Sequence, residues 1–183
     1  FQTMKVKGGV AINRKGSSRD KISNAVEYLQ NWIINFVSVN NPDLNNFPPC
    51  PFAKQERESS NIYIDEIKQG NDFLMCMNRF VHSNMNSAVF IQNEEIEENE
   101  TRGYQRYLNK ILKQLNIKHW KALCINPNDK LEVDGLNVRS LAPCFLILIN
   151  PKQQINEAHE SMLDTKYYDK MSDKYKKYLN IKK

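Results

Sequence analysis

One cysteine in a proline-rich stretch is the residue of this sequence best suited to chemistry. Cys50 lies in the segment NFPPCPFAK, residues 46–54, which we call the Cys50 loop. Each proline fixes φ at about −65° and lacks a backbone donor, so neither a helix nor a central strand can continue through the loop. Lys54 or Arg57 could lower the pKa of the thiol, and the thiolate would then be a nucleophile or a ligand. The alternative is that Cys50 is a small hydrophobe packed on the core.

Arg139 and Ser140 form the second candidate, because they precede the most apolar run of the chain. An Arg guanidinium presents a planar fork of donors to a carboxylate or a phosphate, so Arg139 is expected to bind an anionic group of a substrate. Asn128 and Asp129 could line the same rim, although turn formation alone explains them. A salt bridge from Arg139 to Asp134 is the alternative.

A histidine near the carboxyl end of the chain is the candidate general base, since His is the side chain that titrates nearest neutrality. His159 follows Ile155 by four residues, on the apolar side of a predicted helix, so a hydrogen-bonded histidine at the edge of the core is the alternative. The sequence holds no HxH, HxxxH, HExxH or CxxC spacing, and we therefore assign no metal ligands. A Cys-Pro pair can also present a thiolate to haem iron, which makes haem the one cofactor that the sequence suggests.

Two adjacent tyrosines, Tyr167 and Tyr168, begin an aromatic cluster among the lysines near the end of the chain. Such rings could stack on nucleic-acid bases. The formal charge of +5 is modest, however, and lysines of both terminal regions contribute to it rather than one dense basic stripe. We therefore favour tyrosines that close the core with their hydroxyls at the surface, and nucleic acid is not the expected partner.

The apolar pattern predicts the elements that must position these residues. Apolar spacing of i, i+3, i+4 and i+7 predicts a helix over 22–37, which ends before Pro42. The remaining patterns predict strands at 61–67, 88–92, 120–125, 131–133 and 144–149, and helices from Asp72, over 101–116, after Pro151 and from Ser172. This order is typical of an α+β fold with a mostly antiparallel sheet and helices packed on one face, and a ferredoxin-like arrangement is one form of it.

Length and composition favour an ordinary globular protein. The chain has 183 residues, of which 40% are hydrophobic and 26% charged, which suffices for a single core. Residues 1–19 are expected to be a tag remnant and a mobile arm, and residues 20–183 a single α+β domain. The sequence has neither a signal peptide nor an apolar run long enough for a bilayer, so we expect a cytoplasmic protein with reduced thiols and no membrane partner. Its oligomeric state is not predicted.

Two segments of the sequence resemble a family of bacterial domains. These domains share a CPFA or CPF motif after an amino-terminal helix and a later Asn-Asp…Arg-Ser-x-Pro segment that runs into an apolar strand. Here the matching segments are CPFAK at 50–54 and VRSLAP at 138–143, which we call the Arg139 segment, with one residue more before the proline than the commoner form. The family has no settled activity, so the resemblance implies a cleft shared by the two segments rather than a reaction.

Three hypotheses follow from these residues, in order of preference. The first is a small cytosolic enzyme that acts on an anionic small molecule between the Cys50 loop and the Arg139 segment, with Cys50 and His159 as catalytic residues. Arg139, Ser140, Lys54, Asn128 and Asp129 would then bind the substrate. The second is a non-catalytic module that binds a small ligand such as haem. The third is a nucleic-acid or protein interaction domain that uses the basic carboxyl end.

Overall fold

The computed structural model describes residues 26–51, 53, 58, 62–68, 72–92, 96–133, 136–139 and 142–178. At residues 72, 130–133, 136–139, 174, 175 and 178 the description covers the backbone only. The arm expected over residues 1–19 lies outside these ranges.

The first described helix, α1, covers residues 26–32 and continues into a π-helical turn, Ile33–Val37. Leu29, Ile33 and Val37 are buried at spacings of four residues, which gives the helix the apolar face that the sequence pattern predicts. The helix ends at Val37, before Pro42 as predicted. A 3-10 turn, Pro42–Leu44, follows it.

The main sheet has four strands in the order β1-β2-β6-β3, and a separate hairpin is formed by β4 and β5. Strands β1 and β2 are parallel and are joined by helix α2, Asp72–Val81, whereas β6 is antiparallel to both β2 and β3. Strands β1, β2 and β3 therefore run in one direction, and their carboxyl-terminal residues lie at the same end of the sheet. The strands are β1 Ile62–Ile67, β2 Ser87–Gln92, β3 Trp120–Ile125, β4 Lys130–Val133, β5 Leu136–Arg139 and β6 Phe145–Pro151.

Side chains alternate between the two faces of the sheet, and both faces are covered. On one face, β2 contributes Ala88 and Phe90 to a core that includes residues of α2 and of helix α3, Thr101–Gln114. On the other face, β2 contributes Val89 and Ile91 to a second core that contains Leu29 and Ile33 of α1.

The α+β class with a mixed, mostly antiparallel sheet is thus confirmed, with two corrections of detail. Helices pack on both faces rather than on one, because the second apolar face of the central strands is covered by α1. A ferredoxin-like arrangement separates the two parallel strands of its βαβ units by another strand, whereas here β1 and β2 are direct neighbours.

Helix α3 runs beside strand β3 and hydrogen-bonds its outer edge. Asn109 donates from Nδ2 to the Ala122 carbonyl at 2.8 Å, and its Oδ1 accepts the Ala122 N–H at 3.0 Å. Gln105 Oε1 accepts the Cys124 N–H at 2.9 Å. Side-chain amides thereby take the place that a further strand would occupy at this edge.

The carboxyl-terminal part of the chain forms a third, smaller cluster beside the sheet. Helix α4, Lys152–Leu163, follows β6, and a 3-10 turn, Lys166–Tyr168, precedes helix α5, Asp173–Tyr178. Leu44, Tyr167 and Met171 are the buried residues of the cluster, and Phe47, Met162 and Tyr168 pack against them. This cluster attaches the chain just before Cys50 to the end of the described chain.

Candidate functional site

The backbone of the Cys50 loop is fixed at the peptide group that precedes the thiol. The Cys50 N–H donates to the Val37 carbonyl at 3.1 Å, and the carbonyl of Pro49 accepts the hydroxyl of Tyr167 at 2.7 Å. The Val37 carbonyl belongs to the last turn of a helix, where carbonyls have no partner within the helix, so Cys50 caps it. Both polar atoms of the Pro49–Cys50 peptide group are therefore bound, and the Cys50 side chain is partly buried.

A tight turn at residues 41–47 reverses the chain and brings Cys50 back to the end of α1. Asn41 pairs with Phe47, and Asn45 and Asn46 have positive φ values of 55° and 64°. Asn tolerates the left-handed region better than other residues with a Cβ atom, so two consecutive asparagines permit this turn. Asn41 accepts the Asp43 N–H at 2.9 Å and so stabilises the start of the reversal.

Tyr167 and Tyr168 connect the Cys50 loop to His159. Tyr167 is 8% exposed, and its ring meets that of Phe47 edge to face, with centroids 5.7 Å apart. The rings of Tyr167 and Tyr168 are 4.9 Å apart, and the Tyr168 hydroxyl is 2.9 Å from His159 Nδ1. Tyr167 lies in an apolar cluster, as the favoured interpretation expects, but its hydroxyl binds the Pro49 carbonyl rather than lying at the surface. His159 is partly buried and hydrogen-bonded, as the core-edge alternative expects, and its role as a base stays a prediction.

The backbone places Arg139 beside Asn128 and Asp129. Arg139 is the last residue of β5 and pairs with Lys130, which follows Asp129 directly. The backbone of Arg139 and the turn that carries Asn128 and Asp129 therefore meet at the base of the hairpin, and their role in binding a substrate stays a prediction. The side chain of Arg139, together with Ser140 and Lys54, lies outside the described part of the chain.

Asn126 anchors the turn that carries Asn128 and Asp129. Its side chain is 1% exposed and donates to the Ile96 carbonyl at 2.7 Å and to the Thr101 hydroxyl at 3.1 Å. Its Oδ1 accepts the Asn128 N–H at 3.0 Å, and its own N–H donates to Asp129 Oδ2 at 2.9 Å. These bonds join the end of β3 to the start of α3.

Burial raises the pKa of the Asp129 carboxyl group, and the charge of Glu98 raises it further. The Asn126 N–H and the charge of Arg102 act in the opposite direction but do not cancel the effect of burial. Burial therefore opposes ionisation of Asp129 in the folded protein.

Burial also distinguishes the cysteines from one another. All four cysteines, each within the described part of the chain, are thiols. Burial raises the pKa values of Cys76, Cys124 and Cys144 to about 12, with a further contribution from the Asp65 charge at Cys76 and the Asp129 charge at Cys124. A pKa raised this far keeps these three thiols protonated at neutral pH, so they are poor nucleophiles.

The two predicted segments converge on one apolar cluster. Ala53 donates its N–H to the Cys50 carbonyl at 3.2 Å, so it lies one turn beyond the thiol. Ala53 packs against the second core, of which Ala142, three residues after Arg139, is a buried member. The chain that follows Cys50 and the chain that follows Arg139 thus lie on the same side of the sheet, the side covered by α1.

Two lysines of the basic carboxyl end are bound within the protein. Lys170 Nζ donates to the Pro42 carbonyl at 3.0 Å, and Lys176 Nζ donates to the Asp169 carbonyl at 3.0 Å. These ammonium groups have a structural role in holding the carboxyl-terminal segments.

Across the described ranges, no three or more His, Cys, Asp or Glu side chains are arranged to hold a metal ion. Of the described helices, none is both long and apolar enough to cross a membrane. Comparisons of the chain with models of protein families, with curated proteins and with solved structures found no match. The resemblance to CPFA-motif domains stays a prediction from the two sequence segments.

The part that sequence reasoning missed is the contact between Tyr167 and the Cys50 loop. The two partners are 118 residues apart, and no local pattern connects them. The sequence signal was limited to the unusual Tyr167-Tyr168 pair, which indicated burial but not a partner.

Proposed function

We propose that the protein is a small enzyme that acts on an anionic small molecule between the Cys50 loop and the Arg139 segment. The observation that carries the proposal is the convergence of Ala53 and Ala142 on one apolar cluster, because these residues follow the two predicted site residues closely. The raised pKa values of the other three cysteines make them poor nucleophiles at neutral pH, which supports the choice of Cys50.

Each residue of the proposed site has a chemical role. Arg139 would bind a carboxylate or phosphate of the substrate through two parallel N–H donors, with Lys54 and Ser140 as further donors. Cys50 would give its proton to a base, for which His159 is the candidate, and its sulfur would bond to an electrophilic carbon as the leaving group departs with the electrons of the broken bond. Asn128 and Asp129 would line the rim of the site.

Thermal unfolding in the presence of a panel of small carboxylates and phosphates tests the binding part of this proposal. A ligand that binds only the folded protein raises the Tm, and at about 100 times its Kd it stabilises the fold by roughly 2.7 kcal/mol. We expect at least one anion to do so, and the shift should disappear in Arg139→Gln. Arg106→Gln removes an exposed guanidinium from α3 and is the matched control, which should keep the shift.

The thiol part is tested with the anion found in that screen. Cys50→Ser should still bind the anion, and its Tm without ligand should stay close to that of the wild type, but conversion of the anion by the enzyme should be lost. Cys144→Ser, the control at the other partly buried thiol, should keep turnover. Turnover retained in Cys50→Ser, or a panel in which no anion raises the Tm, would overturn the proposed function.

A further inference from the structure

The peptide group that positions Cys50 is held by a tyrosine from the far end of the chain. The Tyr167 hydroxyl donates to the Pro49 carbonyl at 2.7 Å, while the N–H of the same peptide group donates to Val37 at 3.1 Å. A peptide group is planar, so fixing both of its polar atoms fixes the plane from which the Cys50 Cα atom extends. The hydroxyl of Tyr167 therefore acts one residue away from the thiol.

Further contacts hold the same two stretches of chain together. Asn45 Nδ2 donates to the Lys166 carbonyl at 2.6 Å, and Lys170 Nζ donates to the Pro42 carbonyl at 3.0 Å. Leu44, Tyr167 and Met171 are buried against one another in a cluster separate from the two cores of the sheet. The 165–171 segment thus contacts the chain before Cys50 through three hydrogen bonds and one apolar cluster.

We infer that the 165–171 segment regulates the reactivity of Cys50, with Tyr167 as the positioning residue. This inference rests on the proposed role of Cys50 as a nucleophile. While the segment is docked, the hydroxyl of Tyr167 fixes the peptide plane from which Cys50 extends and so restrains the backbone at the thiol. When the segment detaches, the Pro49 carbonyl loses its donor, and the loop opens around the Cys50 thiol. A partner or a condition that displaces the 165–171 segment would then change thiol reactivity without touching the thiol.

Alkylation by iodoacetamide, followed at each cysteine by mass spectrometry, measures this coupling in the full chain. Tyr167→Phe keeps the ring and removes only the hydroxyl. The loss of one hydrogen bond should raise the alkylation rate of Cys50 about fivefold. The dependence of that rate on pH should also shift along the pH axis, because the surroundings of the thiolate change; a lost packing contact alone would not cause this shift.

Two controls test whether the effect is specific to the Cys50 loop. Tyr168→Phe removes the neighbouring hydroxyl, which lies against His159 rather than Pro49, and it should leave the Cys50 rate within about twofold of the wild type. Cys144 in the same molecules reports on general loosening, and its rate should not change.

The inference is overturned if Tyr167→Phe leaves the Cys50 rate unchanged, if Cys50 and Cys144 accelerate equally, or if Tyr168→Phe has the same effect. Should Tyr167→Phe fail to fold, Asn45→Gly removes a different contact to the segment at a residue with φ of 55°, where glycine is unstrained. That variant should also accelerate Cys50 alone, and an unchanged rate would reject the inference. Alkylation requires no turnover, so loss of the proposed function in the Cys50→Ser experiment would be recognised separately.

Discussion

Asp129 shows how the surroundings of one side chain tune its charge. Its carboxylate accepts the N–H of Asn126 at 2.9 Å, yet burial outweighs this bond and raises its pKa above 3.8. An acid with a raised pKa in the folded state binds its proton more tightly there than in the unfolded chain. The folded protein consequently loses stability through Asp129 as the pH rises from 3.8 through the raised pKa.

Replacing this carboxylate with a neutral amide should remove that loss. Asn keeps an oxygen that can accept the N–H of Asn126 but carries no charge at any pH. We expect Asp129→Asn to be more stable than the wild type at about pH 7 and equally stable at about pH 3, where both states of the wild type are protonated. Urea unfolding at the two pH values measures the difference. A gain of the same size at both would show that the effect is not the titration of Asp129.

Single residues near the site were partly predictable. The segment Asn126-Pro127-Asn128-Asp129 has the composition of a turn, and the turn is present. The burial of Asn126 was not predictable, since it depends on hydrogen bonds to Ile96 and Thr101, which lie 30 and 25 residues away in the chain. A local pattern reports what a residue tolerates, whereas its partners depend on how distant elements pack.

At the scale of elements, α3 protects the edge of the sheet. Asn109 bonds both polar atoms of Ala122, and an edge strand with free donors and acceptors would otherwise pair with another chain. Asn109→Leu should lower the free energy of unfolding by about 2–3 kcal/mol, because two buried backbone groups lose their partners. It should also produce dimers or larger species through β3.

Urea unfolding and light scattering after size-exclusion chromatography measure these two effects. Lys110→Leu adds the same apolar side chain at the neighbouring exposed position and is the matched control. It should remain as stable as the wild type and in the same oligomeric state. Association by Lys110→Leu to the same extent would point to surface hydrophobicity rather than to the opened edge.

The helices and strands themselves were largely predictable from hydrophobic periodicity and from the positions of turn-forming residues. The predicted strand at 120–125 is β3, Trp120–Ile125, and the helix expected over 101–116 is α3, Thr101–Gln114. Strand β5 was not predicted, because its existence depends on pairing with β4 rather than on a local pattern. The face of the sheet against which α1 packs was also unpredictable, since an apolar stripe does not specify which surface covers it.

At the scale of the whole molecule, the protein contains apolar clusters of very unequal size. Two of them cover the faces of the four-stranded sheet, and the third joins the chain before Cys50 to the 165–171 segment. The sequence predicted the apolar faces of the helices and strands that form the first two clusters. It could not show that residues near 44 and near 167 share a cluster, because a contact between residues so far apart in the chain has no local sequence pattern.

The small third cluster should unfold separately from the sheet. Leu44 is 1% exposed, and Leu44→Ala should cost about 2–5 kcal/mol where the cavity forms. Because the cluster is separate from the two cores, that cost should appear as local opening. In native-state hydrogen exchange, the amides of residues 41–50 and 165–171 should lose protection, while those of β2 and β6 keep theirs.

Leu108→Ala is the matched control, since Leu108 is equally buried but belongs to the core beneath α3. It should lower the protection of the sheet and of the Cys50 region together, as expected for destabilisation of the whole fold. If Leu44→Ala gave that same uniform pattern, the carboxyl-terminal segment would be part of one cooperative unit with the sheet, and it could not detach to change the reactivity of Cys50. Local loss of protection in Leu44→Ala is therefore the condition on which control of the thiol by its distant partner depends.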